Sequence, residues 1–151
     1  MNTDTRIVSH FGRAWLALAL CVAVHVADEA MTGFLNIYNP TVRAIRVRLP
    51  FLPIPTFTFR IWLALLVAGV ILLFALSVFA YRGVAWIVYL AYPFGILMLF
   101  NGVAHLAGSA LMRRLMPGVY SAPLLLAGSL YLLTMARCMR LATRGVAEGR
   151  T

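Results

Sequence analysis

The sequence predicts an all-α integral membrane protein, a four-helix bundle with an interfacial or re-entrant proline-rich segment between its first and second spans. Three observations lead there. Of the 151 residues, 63% are hydrophobic and only 11% charged, far less polar surface than a soluble domain of this size displays. Four apolar runs reach the ~20 residues needed to cross a hydrocarbon core of ~30 Å. The 13 basic residues, all arginine, gather at the ends of those runs, where their stems stay in apolar surroundings while their heads reach anionic headgroups. A net charge of +9 could suggest nucleic acid as a partner. Arginines distributed over helix ends argue against that and for the lipid bilayer. One membrane domain over residues 1–151 is the expected organisation.

Residues 1–12 read as a short polar tail. The first span, about 13–33, opens with Trp15, Leu16, Leu18, Leu20 and Val22. Arg6 and Arg13 ahead of an apolar run are also a signal-peptide feature. Leu20 is too large to precede Cys21 in a lipoprotein cleavage box, so the segment reads as an uncleaved helix. Residues 34–59 hold Asn36, Asn39 and Pro40 at one end and Pro50, Pro53 and Pro55 at the other, a pattern that argues against a continuous helix. Between them Arg43, Arg46 and Arg48 alternate with Val42, Ile45, Val47 and Leu49, which fits a segment lying at the interface or dipping back in. That segment is either a solvated connector or a cap over a polar site. The second span, about 59–81, has Ser77 as its only interior polar group and reads as structural; Arg82-Gly83 is a turn.

The third span, about 84–112, has a kink expected at Pro93 and carries Asn101, His105 and Ser109, each four residues from the next. That spacing forms a polar stripe on one helical face. Gly102 and Gly108 allow close helix approach there. Arg113-Arg114 end the span and Leu115-Met116-Pro117-Gly118 breaks the helix. The fourth span, about 120–141, begins with Tyr120 and Ser121 on the side of the polar groups and closes at Arg137, Arg140 and Arg144. Cys21 and Cys138 fall at different depths, so no bridge between them is expected.

The chain's acids are the sharpest signal. Asp4 and Glu148 sit in the tails, and the other two, Asp28 and Glu29, lie inside the first span with His25. An ionised acid at mid-span costs about 2.5–3.5 kcal/mol even on an insertion scale. Offsets of three and four residues place His25 over both acids, with Cys21 one turn earlier. Four spans make the first and third cross in the same direction, and each holds its polar groups in its second half. His105 precedes Arg113 by eight residues, about 12 Å of helix, so the two sets can meet in one layer if the two helices are neighbours, and that neighbourhood is expected because only these two spans bring polar chemistry. Seven arginines on the tail side (6, 13, 82, 137, 140, 144, 150) against six on the other lean toward cytoplasmic tails.

His25-Val26-Ala27-Asp28-Glu29, with Asn101-Gly102-Val103-Ala104-His105 and Pro117-Gly118, resembles the HXXEE domain family of small bacterial membrane proteins. The resemblance runs from the first span to the fourth and implies an inner-membrane, multi-pass protein. Asp28 stands where the family has Glu, one methylene longer. The family's function is unknown, so the resemblance points to the site and supplies no reaction.

Two imidazoles, two carboxylates and an amide form an N/O donor set suited to zinc, iron or manganese. His25, Glu29 and His105 are the expected metal ligands, with Asp28 as a fourth ligand or a partner to one of them. Asn101 would orient a histidine or donate to an anionic intermediate. A ferritin-type two-iron site needs four carboxylates and is disfavoured. Without a metal the same groups suit acid–base chemistry such as double-bond isomerisation or cyclisation. The expected function is therefore a membrane-embedded enzyme, a metal-dependent hydrolase or oxidoreductase or an acid–base isomerase, acting on a lipid or other apolar substrate. Two alternatives stand beside it: proton or cation transport, which with so few polar helices would need an oligomer, and a structural accessory role in which the polar groups join helices.

Overall fold

A computed structural model describes residues 3–148. It contains five helices, α1 (Thr3–Thr32), α2 (Leu35–Arg48), α3 (Phe59–Tyr81), α4 (Ala85–Met112) and α5 (Ala122–Glu148), and no strand among the described residues. Four stretches are long and apolar enough to cross a membrane: Thr5–Thr32, Phe59–Tyr81, Ala85–Met112 and Ala122–Thr143. Backbone polar groups have no water to bond in a hydrocarbon layer, and a helix satisfies them internally. Arg150, counted above among the tail-side arginines, lies outside the described residues.

α1 packs against α3 and α5, and α4 packs against α5 and more lightly against α3. The ring therefore runs α1, α3, α4, α5. Neighbours are antiparallel: the Trp15 indole donates to Leu73 O at 2.9 Å and Ser121 meets Asp28. This corrects the expectation that the first and third spans are neighbours. α1 and α4 run in the same direction but face each other across the diagonal, where Trp15 meets Phe94 at 5.3 Å between ring centroids. The reason is the placement of small residues. A Cβ on Gly102 of α4 would stand 3.2 Å from the Ala122 carbonyl oxygen, and one on Gly128 of α5 would stand 3.4 Å from the Leu18 Cα. Those glycines draw α5 onto both α4 and α1, so α5 fills the place beside each. Phe11, Trp15, Leu18, Ile87, Leu125 and Leu132 form the core. α3 instead turns Ile61, Leu65 and Leu72 outward.

One further expectation changes. The polar tail proposed for residues 1–12 is helical from Thr3, and Phe11 is fully buried in the core. No continuous helix runs through residues 34–59, as expected, although α2 continues through Pro40 before ending at Arg48. Proline near a helix start removes one N–H while its fixed φ suits the helix, so the interruption is local. The stretch after α2, residues 49–58, is non-helical and folds back along it. Asn39 acts as the clasp: its side-chain amide donates to Phe57 O at 2.9 Å and accepts from Phe57 N at 3.1 Å. The Tyr38 hydroxyl and the Arg46 guanidinium donate to the carbonyls of Pro55 and Ile54. α4 likewise runs through Pro93 without interruption.

Candidate metal centre

α1 delivers His25 and Glu29 to the bundle interior one turn apart, and α4 delivers His105 from across the diagonal. All three are buried, at 2%, 7% and 5% exposure. Glu29 Oε1 lies 3.2 Å from His105 Nε2 and 3.7 Å from His25 Nε2. The two imidazoles meet edge to face, 4.7 Å between centroids. One donor atom from each residue falls within 4.8 Å of the other two, so this group could hold a metal ion.

Asp28 does not join that group. Adjacent residues on a helix are separated by ~100° of rotation, so Glu29 and Asp28 cannot face the same partner. Glu29 turns to His105, and Asp28 turns to the entry of α5. There the Asp28 carboxylate accepts the Ser121 backbone N–H at 2.8 Å and the Ser121 hydroxyl at 2.7 Å. The same hydroxyl oxygen stands 2.8 Å from His25 Nδ1. A hydroxyl has one proton, and the charge-assisted bond to Asp28 takes it. Ser121 Oγ then accepts from His25 Nδ1–H. This assignment leaves a lone pair on His25 Nε2, the nitrogen facing Glu29. A carboxylate that orients a histidine so that its other nitrogen is free is the usual support behind a metal ligand, and here a serine hydroxyl links the two.

Asn101 is half-buried, and its Nδ2 donates toward His25 Nε2 at 3.3 Å. Ser109 stays apart from the cluster. Its hydroxyl donates to His105 O at 2.8 Å and accepts Met116 N at 3.0 Å, which ties down the loop after α4. Arg113 ends α4 in the left-handed conformation at φ 49°, and the loop returns through Gly118 at φ 83°. Gly118 touches both histidines: a Cβ there would stand 2.8 Å from His105 Cε1 and 2.9 Å from His25 Cε1. Its N–H donates to Thr32 Oγ1 at 3.3 Å. Gly118 thus satisfies a positive φ and a close backbone approach at once.

His105 Nδ1 is buried and without a hydrogen-bond partner. Cys21 and Cys138 are free thiols; Cys21 packs on Gly128 rather than joining the centre. Tyr120 is exposed and lines a cleft at the bundle end.

The five residues singled out in the sequence thus form one connected set, with Asp28 linked through Ser121. Ser121 itself was expected only as a residue near the site, and Gly118 only as a helix break. The available signal was their order: a Pro-Gly break at the depth of His105, followed three residues later by a hydroxyl at a helix entry.

Fold and centre together define a small, all-helical, multi-pass membrane protein with a buried His–Glu–His group at mid-bundle. The chain belongs to the family of proteins of unknown function with an HXXEE motif, whose model matches residues 15–132. That stretch contains every residue of the centre. Comparison with curated proteins and with solved structures gave no match.

Proposed function

We propose that this protein is a membrane-embedded metalloenzyme that acts on a lipid or other apolar substrate at the His25–Glu29–His105 centre. The observation that supports this most is the convergence of one ligand atom from each of His25, Glu29 and His105 within 4.8 Å of one another. The His25 Nε2 lone pair and Glu29 Oε1 face each other at 3.7 Å in a buried site, and among the described residues Glu29 forms ion pairs with these two histidines and no arginine. A carboxylate held among imidazole nitrogens in a low-dielectric interior is stabilised by a positive charge among them, whether an ion or an imidazole proton. Ligands about 2.0–2.1 Å from one tetrahedral ion lie roughly 3.3 Å from each other, close to the separations from Glu29 to the two imidazoles. Two histidines and one carboxylate leave coordination positions open, as in catalytic zinc sites and non-haem iron sites. A divalent zinc, iron or manganese ion there supplies Lewis acidity toward a carbonyl or phosphoryl oxygen or a water.

The chain's own groups do the rest. Asp28 and Ser121 hold His25 in one tautomer, and Asn101 places an amide donor beside the same nitrogen, where negative charge would develop on a substrate. His105 would offer Nε2 to such an ion, with its proton on Nδ1. The protein sits in the bacterial inner membrane with cytoplasmic tails, and α2 with residues 49–58 lies at the interface over the end of the bundle where the centre is found.

Elemental analysis of detergent-purified, tag-free protein tests the reading, with His25→Ala and Glu29→Gln alongside. About one ion per chain, lost in both variants, is the expected result. No ion in a folded sample, even after each metal is supplied, would refute it. A proton would then be the charge between His25 and Glu29, and acid–base isomerisation or proton transfer would take its place.

A further inference from the structure

Two clefts flank one corner of the chain above the centre. Thr32 and Gly33 line the first, with Asn36, Arg114 and Tyr120. Phe34, the next residue, lines the second, with Tyr38, Phe57, Trp62, Leu65 and Leu66. The first sets Arg114, Asn36 and Tyr120 among Ile37, Leu115 and Met116 and has a volume of about 270 Å³. The second is aromatic and aliphatic, with about 250 Å³. Each reaches toward the histidines through one contact. In the second, the Phe34 ring is 6.0 Å from the His105 ring and stacks on Trp62 at 5.9 Å. In the first, Thr32 accepts the N–H of Gly118, whose backbone abuts both imidazoles.

Arg114 is exposed at the rim of the basic cleft. Its guanidinium makes a long contact to Met112 Sδ, 3.8 Å. No ion pair between an arginine and an acid occurs among the described residues; Asp28 is committed to Ser121, and Glu29 to the histidines. A cation on a cleft wall, with an amide and a phenol beside it and no acid to neutralise it, suits an anion. The neighbouring cleft, lined by Leu65 and Leu66 on the outward-turned helix α3, suits a hydrocarbon chain entering from the bilayer.

We propose that the protein binds an anionic lipid whose phosphate or carboxylate headgroup seats at Arg114 and Asn36 while a chain lies along Phe34, Trp62 and Leu65, in the two clefts that adjoin the walls of the His25–Glu29–His105 centre. This rests on the enzyme reading for what happens to the lipid, but the seat itself needs no metal.

The test is lipid retention by native mass spectrometry of the full chain in neutral detergent, titrated with dioleoyl phosphatidic acid, oleic acid and dioleoyl phosphatidylcholine. It is run with and without prior chelation, so a failure of the metal reading is read separately from a failure of this one. The wild-type chain should keep at least one of the two anionic lipids about tenfold more strongly than phosphatidylcholine, the order of one charge-assisted contact. Arg114→Gln should lose that preference. Arg43→Gln, which removes an equal charge from α2 outside the cleft, should keep it. Leu65→Trp, which narrows the aromatic cleft, should weaken retention of anionic and neutral lipid alike. Equal losses in Arg114→Gln and Arg43→Gln would overturn the proposal in favour of diffuse surface attraction. Binding of inorganic phosphate at lower concentration than either anionic lipid would overturn it in favour of a soluble anion, and equal retention of all three lipids would overturn it outright.

Discussion

Replacing Gly118 with alanine tests the centre most directly, because the added methyl has nowhere to go. It would stand 2.8 Å from His105 Cε1, 2.9 Å from His105 Nδ1 and 2.9 Å from His25 Cε1. Carbon atoms pack at about 3.5–4.0 Å, so both rings must retreat by roughly 0.6–1.2 Å at once. Neither the backbone nor the rings yield easily. Gly118 N is held by Thr32 and Gly118 O by the Ala122 N–H, and both imidazoles are engaged with Glu29. Alanine at φ 83° adds about 1–2 kcal/mol for the left-handed conformation, and overpacking adds about 1–3 kcal/mol. Unfolding in detergent should therefore become easier by about 2–5 kcal/mol, the sum of those two ranges. Metal affinity should fall by 10- to 100-fold, the usual cost of disturbing the supports of a ligand. Gly69→Ala is the control: nothing lies within 4 Å of a Cβ there, and stability should hold or rise by up to ~1 kcal/mol. Thermal melting with metal titration reads both. If Gly118→Ala matched the wild type in melting temperature and metal affinity, the close approach of this backbone to the two histidines would be wrong.

Ser121→Ala removes the link between Asp28 and His25 while deleting a single oxygen. Metal affinity should drop about 10- to 100-fold with the helical content unchanged by circular dichroism; an unaltered affinity would mean His25 needs no such support. Asp28→Asn keeps an acceptor for Ser121 and should lose less affinity than Asp28→Ala in the same titration. Asn39→Ala removes both bonds to Phe57, about 1–3 kcal/mol, so limited proteolysis should cut within residues 49–58 faster while metal content stays as in the wild type.

The four long helices were legible because lipid leaves the chain few options: an apolar run of spanning length must satisfy its own backbone, and only a helix does so within one segment. The depth of the polar groups was legible for the same reason, since the rise per residue of a helix is constant. That no single helix could run through residues 34–59 was legible from its prolines, because the three after Arg48 fall in the non-helical stretch 49–58; that Pro40 would lie inside α2 was not. The neighbourhood of the first and third spans was misread because shared polarity was taken to mean adjacent backbones. Histidine and glutamate side chains are long enough to meet across a diagonal.

The sequence by itself determined that His25, Glu29 and His105 share a depth, since helical period and rise set depth and azimuth along each span. Only the tertiary structure decided what faces them. Gly102 and Gly128 let α5 close upon both α4 and α1, and that packing set the entry of α5 against α1. Ser121 thereby reached Asp28 and His25, and Gly118 came against the two rings. These contacts join residues more than 90 positions apart in the case of Ser121. Helical periodicity relates residues within one helix, and it has no term for which helix a glycine will admit.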